Sequence, residues 1–284
     1  MISSRSRYVQ IHAETSKSVH NGAIVTRMLT GERKAKVLEI LARDGAVVAK
    51  DLAATWAVSE DTIRRDLRDL ASEGRLHRVH GGALPLSLAA QDYAVRQTVA
   101  SVEKAAVARH AASMIHNGQT VFLDGGTTAL ALCRALPSSL RATVFTHSPT
   151  IAAELMGHAG IEVFTIGGRM FRHSVVAVGS IAAEQIASIT TDLFFMGVSG
   201  VHPTAGLTTG DAEEASIKRT ICGRASETYV LASSEKLGAA SPFRVIDFAH
   251  VAGAITDAGA PAKMLRSIKH AGLSIITAAL GSRD

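Results

Sequence analysis

The spacing of apolar side chains predicts three short helices near the start of the chain. Residues 32–43 place valine, leucine and isoleucine at helical spacing and stop at an Asp-Gly pair. Residues 51–57 form a second short helical pattern. A tight corner at Val58-Ser59 then leads into a third helix, for which Ser59 is a suitable N-cap. Two helices and a short turn before a third form the pattern of a helix-turn-helix.

The third helix separates its charges. On a helical wheel, Arg64, Arg65 and Arg68 fall on one exposed side, and the acidic residues fall mainly on the other. Guanidinium groups form paired hydrogen bonds with phosphate oxygens and with guanine in the major groove. A surface helix with solvated charges is the plainer explanation of an Arg-Arg pair, but the preceding helix and turn favour DNA recognition.

A β-wing is predicted after this helix, because residues 75–80 alternate polar and apolar side chains and then reach Gly81-Gly82. We expect the third helix to read base edges, and its N-cap and the wing to hold the DNA backbone. The predicted DNA-binding residues are Ser59, Thr62, Arg64, Arg65, Arg68, Arg75, His77, Arg78 and His80.

From residue 101 the pattern changes to alternating helices and strands. An alanine-rich helix over residues 101–116 is followed by strand-like and helical runs in alternation, as far as residue 256. Such alternation predicts an α/β domain with a largely parallel sheet. In these sheets, ligands bind beyond the carboxyl ends of the strands.

Five predicted strand ends carry polar or glycine-rich sequences. In Asp124-Gly125-Gly126-Thr127-Thr128, the glycines allow close backbone approach, and N–H and hydroxyl groups at a helix start favour phosphate. The others are Thr146-His147-Ser148, Gly167-Gly168-Arg169, Gly206 to Asp211 with Glu214 and Lys218 after it, and Ser233-Ser234-Glu235-Lys236. Each of these sequences alone is also typical of an ordinary turn. A lone histidine is more often structural than a ligand, and an i,i+4 Glu-Lys pair is often only a surface pair.

Composition changes this picture little. The 284 residues are 47% hydrophobic and 19% charged, which suits a globular protein of more than one domain. No apolar run is long enough to span a bilayer and the start lacks a secretory apolar core, so we expect a cytoplasmic protein. The net charge is +5, but residues 31–85 hold ten basic and nine acidic residues, so local charge segregation must supply any DNA affinity. We expect no cofactor and no metal site.

Residues 32–83 resemble the DNA-binding domain of the DeoR family of bacterial transcriptional regulators. The matching motifs are Asp51-Leu52-Ala53, Val58-Ser59, Thr62-Ile63-Arg64-Arg65-Asp66-Leu67 and Arg78-Val79-His80-Gly81-Gly82-Ala83. The resemblance implies an N-terminal winged helix-turn-helix domain that binds double-stranded operator DNA.

Residues 101–258 resemble the effector domain of the same family. That resemblance implies a Rossmann-like α/β fold related to ribose-5-phosphate isomerase, with a site for a phosphorylated sugar or similar metabolite. The effector-binding residues that the resemblance implies are Asp124, Gly126, Thr127, Thr128, Asp211, Glu214, Lys218 and Lys236, and the strand-end patterns add Gly125, His147 and Arg169 as candidates. The chain departs from the family at His147, where asparagine is common, and at Ser233-Ser234-Glu235, where Asp-Ser-Ser is common; both departures suggest a different sugar or acid.

We therefore expect four regions. Residues 1–30 are a flexible basic tail or reflect a misassigned start, with the true start at Met28. Residues 31–86 bind DNA, 87–100 are a linker, and 101–284 bind the effector and oligomerise. The leading hypothesis is a regulator and not an enzyme: a repressor of a sugar or carbohydrate catabolic operon, controlled by a phosphorylated sugar-like effector and acting as a dimer or tetramer. The alternatives are a sugar-phosphate isomerase carrying a DNA-binding domain, and a DNA-binding protein whose second domain only oligomerises.

Overall fold

The computed structural model describes residues 28–86 and 93–280. All but the last three residues of the predicted basic tail lie outside this range, as do residues 87–92 of the predicted linker and the last four residues of the chain. Within it, no helix combines the length and the apolar character needed to cross a membrane.

Residues 30–84 fold into three helices and a small antiparallel sheet. The helices are α1 (Thr30–Asp44), α2 (Ala49–Thr55) and α3 (Glu60–Ser72). The strands are β1 (Val47–Val48), β2 (His77–Val79) and β3 (Gly82–Leu84), paired in the order β1-β3-β2. The helix-turn-helix and the wing predicted from the sequence are thus confirmed.

Helix α3 is anchored through one face. Ser59 is its N-cap, as predicted, because the Ser59 hydroxyl accepts the Thr62 N–H at 3.1 Å. Ile63, Leu67 and Leu70 are buried against apolar side chains of α1 and α2. Each such side chain contributes about 1.5–3 kcal/mol on burial, so the docking is set by this stripe.

The acidic side of α3 faces α1. Asp66 is buried and pairs with the buried guanidinium of Arg33. Lys34 lies 3.1 Å from both the Asp69 and the Glu73 carboxylates. Helix α1 therefore pairs with Asp66, Asp69 and Glu73, and the arginines of α3 lie on its exposed side.

Residues 93–280 form an α/β domain. Its helices are α4 (Tyr93–Thr98), α5 (Ser101–Ser113), α6 (Thr127–Ala135), α7 (Pro149–Leu155), α8 (Ser180–Ala187), α9 (Ala212–Cys222) and α10 (Ala262–His270). Its strands are β4 (Thr120–Leu123), β5 (Ala142–Thr146), β6 (Ile161–Thr165), β7 (Arg169–Phe171), β8 (Val176–Val178), β9 (Thr191–Gly197), β10 (Gly200–His202), β11 (Gly206–Thr209), β12 (Ala225–Leu231), β13 (Phe243–Arg244), β14 (Gly253–Asp257) and β15 (Ile275–Ala278).

The main sheet runs β15-β14-β12-β9-β4-β5-β6, and its neighbouring strands are all parallel, which confirms the predicted fold class. Helices α5 to α7 pack on one face and α8 to α10 on the other. The chain runs outward from β4 to β6 and then returns to place β9 beside β4. The crevice for a ligand is therefore expected between the ends of β4 and β9, where the direction of winding reverses.

The predicted linker contains more structure than a connector. Residues 93–98 form α4, and Ala100 then adopts a left-handed conformation with φ of 51° before α5 begins. Long-range contacts hold this helix on the α/β domain, which the local sequence pattern does not report.

The two domains touch beside α10. Leu86, just beyond the wing, forms a parallel bridge with Ala240. The Met264 methyl group lies between two glycines: a β-carbon on Gly45, which ends α1, would be 3.7 Å from it, and one on Gly238 would be 2.5 Å away. Met264 therefore contacts both the end of α1 and the segment that follows Lys236.

Candidate functional site

The arginines of α3 form an exposed cationic face. Arg64, Arg65 and Arg68 are all exposed. Arg64 donates to Glu60 at 2.7 Å, and Arg65 lies 3.8 Å from Asp61, both at i,i+4 spacing. Such exposed pairs are weak, so either guanidinium can exchange its carboxylate for a phosphate or a base edge.

The wing adds exposed cations beside α3. Arg75, Arg78 and His80 are exposed, whereas His77 is half-buried in β2. Burial lowers the pKa of His77 and so disfavours its protonated form. Ser59 is exposed at the start of α3, and Thr62 is partly buried behind it. The arginines, rather than His77, therefore supply the positive charge of the wing.

A cavity opens at the ends of β4 and β9, as the winding of the sheet indicates. It has a volume of about 580 Å³ including its open mouth. Its walls are formed by the segments that follow β4, β9 and β12, and by parts of α4, α5, α6 and α9. Its polar lining residues are Arg96, Lys104, Thr127, Thr128, Ser174, Ser199, Thr209, Glu214, Lys218, Glu235 and Lys236. Four of these side chains are cationic and two are carboxylates.

The loop after β4 and the start of α6 line this cavity. Gly125 and Gly126 line it, and α6 begins at Thr127. A β-carbon at Gly125 would lie 2.2 Å from Val176 Cγ1, so the close packing of the loop requires glycine. The Thr128 hydroxyl is buried and has no hydrogen-bond partner within the described residues. A helix start with an unused buried hydroxyl suits an anionic ligand.

Asp124 lies beneath the cavity and contacts three of its lining residues. Its carboxylate is fully buried, pairs with Lys218, and accepts the N–H groups of Gly125 and Gly197, each at 2.8 Å. His147 Nε2 lies 2.8 Å from the same carboxylate, and His147 Nδ1 lies 2.9 Å from the Ala177 carbonyl oxygen. Burial alone would raise the pKa of Asp124, but Lys218 and His147 outweigh it, so this pKa lies well below its usual range.

Lys218 and Glu214 lie on one side of α9. The Lys218 ammonium contacts Asp124 and lies 3.4 Å from Glu214, which also accepts a hydrogen bond from the Thr209 hydroxyl. Burial lowers the pKa of Lys218, but Asp124 and Glu214 raise it more, so the group stays charged. Lys218 is thus largely neutralised by protein carboxylates.

Lys236 forms no ion pair with a carboxylate among the described residues. It is buried, and its Nζ donates to the Leu231 carbonyl oxygen at 3.4 Å. Burial lowers its pKa to about 8, Glu235 opposes this, and Lys104, Arg96 and Lys218 add to the lowering. An anion in the cavity would relieve this concentration of positive charge.

Both domains match known family models. The DeoR-like helix-turn-helix domain matches residues 33–87, and the DeoR C-terminal sensor domain matches residues 99–258. The chain belongs to the DeoR family. It is therefore a transcriptional regulator with a DNA-binding domain and a small-molecule sensor domain.

Relatives within the DeoR family are similar over most of their length. The HTH-type transcriptional regulator GlpR of Haloferax volcanii is 31% identical over 88% of this chain and 98% of its own. The transcriptional repressor GlcR of Bacillus subtilis is 31% identical over 81% and 89%. The glycerol-3-phosphate regulon repressor of Escherichia coli is 28% identical over 83% and 94%. Among solved structures, ribose 5-phosphate isomerase A of Methanocaldococcus jannaschii is 20% identical, with a TM-score of 0.35, over 47% of this chain and 52% of its own.

Nine of the eleven predicted effector-binding residues fall into two groups. Gly125, Gly126, Thr127, Thr128, Glu214, Lys218 and Lys236 line the cavity. Asp124 and His147 lie beneath it, where they hold the loop and Lys218 in place.

The other two predicted effector-binding residues, Asp211 and Arg169, make contacts outside the cavity. Asp211 is the N-cap of α9 and accepts the Glu214 N–H at 2.9 Å. Arg169 is exposed on β7, pairs with Glu213, and does not line the cavity. A glycine-rich turn followed by arginine predicted an effector contact for Arg169, but the β7–β8 hairpin directs it toward the surface of α9.

Sequence reasoning did not single out several lining residues, above all Arg96 and Lys104. Lys104 carried a signal, because it shares a helical face with Val107, Ala108 and Ala111, all buried. A lysine on the apolar side of a helix indicates a buried partner. Arg96 gave no comparable signal, since its place depends on how α4 docks.

Proposed function

We propose that this DeoR-family regulator represses a sugar or carbohydrate catabolic operon and is controlled by a phosphorylated sugar-like effector. The observation that carries the proposal is the excess of positive charge in a walled cavity at the start of α6. Four cations face it, against Glu214 and Glu235 on the walls and Asp124 below. A phosphate dianion would meet the α6 N–H groups, the Thr128 hydroxyl and Lys236 together.

The names of the relatives support a repressor of carbohydrate genes. Relatives named as a glycerol-3-phosphate regulon repressor and as the repressor GlcR align with 83% and 81% of this chain. We infer operator DNA as the partner of α3 and the wing, and a homo-oligomer, dimer or tetramer, because helix-turn-helix proteins bind paired half-sites. Such a regulator works in the cytoplasm, where operator DNA lies.

We infer binding without turnover at the effector site. The Glu214 carboxylate, the candidate base of an isomerase, is already engaged by Thr209 and Lys218. A base that must accept a substrate proton is better placed with a free oxygen. Chromatographic assay of pentose and hexose phosphates after long incubation with the protein is expected to recover each unchanged, and conversion by the wild type but not by Glu214→Gln would favour the isomerase.

The experiment uses an operator selected from a random duplex library by the wild-type protein. Phosphorylated sugars and their unphosphorylated counterparts are then compared for thermal stabilisation of the protein and for release of the operator. We expect at least one phosphorylated compound to do both, and its unphosphorylated counterpart to do neither.

Matched lysine variants localise the effect. Lys236→Met is expected to abolish the response, whereas Lys269→Met, on the exposed end of α10, leaves it intact. If no phosphorylated compound stabilises the protein, the second domain serves oligomerisation and the effector proposal fails.

A further inference from the structure

Lys104 connects the linker to the effector cavity. Its ammonium is buried in the domain, and its Nζ donates to the carbonyl oxygens of Arg96 and Val99, each at 2.5 Å. Arg96 belongs to α4, and Val99 follows it. The last carbonyls of a helix have no hydrogen-bond partner within the helix. Lys104 therefore acts as a C-terminal cap of α4 by donating to carbonyl oxygens at its end.

The same three residues form part of the cavity wall. Arg96, Val99 and Lys104 line the space in which the start of α6, Lys218 and Lys236 also lie. A lysine ammonium has three donors, and two are taken by the linker carbonyls. The third has no partner among the described residues and can serve a ligand in the cavity. Lys104 can therefore bind the linker and an anion at the same time.

Further contacts hold α4 on the sensor domain. The Arg96 guanidinium donates to the His173 carbonyl oxygen at 2.6 Å and lies 5.5 Å from the centre of the Tyr93 ring. The Tyr93 hydroxyl lies 3.3 Å from the Thr150 hydroxyl. Tyr93 does not line the cavity, so it belongs to the docking of the linker and not to the ligand site.

We propose that anion binding in the cavity and docking of α4 on the sensor domain are thermodynamically coupled through Lys104. An anion would supply the counter-charge that the buried ammonium lacks, and it would strengthen the arrangement in which Lys104 also holds the two carbonyls. The linker connects the sensor domain to the wing along the chain. Effector binding would therefore restrict the orientation of the DNA-binding domain relative to the sensor domain. This inference rests on the proposed function, because it requires an anionic ligand in this cavity.

Coupling of this kind is reciprocal. If an anion stabilises the docked linker, then a substitution that loosens the linker must lower the affinity for the anion. This holds even where the substituted residue does not contact the anion. Tyr93→Ala is such a change, since it removes the ring beneath Arg96 and the contact with Thr150. Thr98→Ala is the matched control, because Thr98 is exposed on the same helix.

The test uses the full chain and inorganic phosphate as the probe. Backbone hydrogen exchange of residues 93–99 is measured with phosphate and with chloride at equal ionic strength, and phosphate affinity is measured by calorimetry. We expect phosphate to slow exchange in this segment in the wild type. We expect Tyr93→Ala to weaken phosphate binding by about threefold or more and Thr98→Ala to leave it unchanged.

Lys104→Met examines the connecting residue itself. In this variant, residues 93–99 should exchange faster than in the wild type without phosphate, and phosphate should no longer slow them. If phosphate binds the wild type while exchange of residues 93–99 is unaltered and Tyr93→Ala binds equally well, the coupling is refuted and the effector site stands. If phosphate does not bind at all, both proposals fall. Should Lys104→Met not fold, the Tyr93 and Thr98 pair still decides between these outcomes.

Discussion

Arg33 of α1 and Asp66 of α3 form a buried ion pair in the DNA-binding domain. The guanidinium contacts both carboxylate oxygens, one of them at 3.0 Å. The pair lies on the side of α3 opposite to Arg64, Arg65 and Arg68. Together with the apolar stripe of Ile63, Leu67 and Leu70, the pair holds one face of α3 against the domain and leaves the arginines exposed.

Asp66→Asn is expected to destabilise the DNA-binding domain by about 3–5 kcal/mol, because it leaves the Arg33 charge buried without a counter-ion. Trp56, the single tryptophan of the chain, packs against this core, so its fluorescence in a urea titration reports the loss. Asp69→Asn is the control, since Asp69 pairs with Lys34 near the surface and its loss should leave the midpoint unchanged. Equal midpoints for Asp66→Asn and the wild type would show that the pair contributes nothing to stability.

Arg65→Ala is expected to weaken operator binding by about 1–3 kcal/mol if Arg65 reads a base. Gel-shift titration at fixed salt measures the change, and Arg43→Ala, an exposed arginine at the end of α1, is the control. A uniform loss on every DNA sequence, with a shallower salt dependence, would instead assign Arg65 to a phosphate. Unchanged affinity would remove Arg65 from the interface.

Effector affinity is expected to fall as pH rises through about 8. The pKa of Lys236 is about 8, so the group passes from about nine-tenths protonated at pH 7 to about one-tenth at pH 9, while a phosphate monoester stays dianionic. Affinity for a binding sugar phosphate should therefore drop about tenfold between these values, as measured by calorimetry. Lys236→Met should bind weakly and with no such pH dependence.

Lys236 also changes the stability of the unliganded protein with pH. Its pKa in the folded state lies below that of an unfolded lysine, so the unfolded chain binds more protons between pH 8 and about 10. The sign of the linkage makes the protein more stable as pH rises across this window. Lys236→Met should remove that rise, which thermal melts at pH 8 and pH 10 would reveal.

Asp124→Asn is expected to destabilise the α/β domain by about 3–5 kcal/mol at neutral pH, because Lys218 loses its closest counter-ion. The lowered pKa of Asp124 gives the wild type stability above about pH 4 that is lost as pH falls. The difference between variant and wild type should therefore shrink below pH 4. Circular dichroism melts measure it, with the exposed Asp247→Asn as control; a difference independent of pH would contradict the assigned charge.

The sequence predicted what local pattern controls. The helices of the DNA-binding domain follow from apolar spacing, and Ser59 follows from its capping chemistry, so both are in the expected places. The same holds for the parallel sheet and for the loop from Gly125 to Thr128, because strand ends of a parallel sheet meet at one edge.

Long-range contacts account for what the sequence missed. The burial of Asp66 depends on an arginine 33 residues away, and the roles of Arg96 and Lys104 depend on the docking of α4. The family resemblance implied a ligand role for Asp211, and the structure shows that its side chain caps α9. Arg169 follows a glycine turn like that of a binding loop, and only the hairpin shows where its side chain goes.

The contacts of Met264 disfavour the transfer of this DNA-binding domain to the sensor domain of another regulator. A fusion that grafts the operator-reading portion onto another metabolite sensor near residue 87 would part the Met264 methyl group from Gly45, and Leu86 from Ala240. Such a fusion would retain two folded domains but lose the contacts between the DNA-binding domain and the α/β domain. Exchange of metabolite specificity is better sought by redesigning the cavity walls within the whole chain.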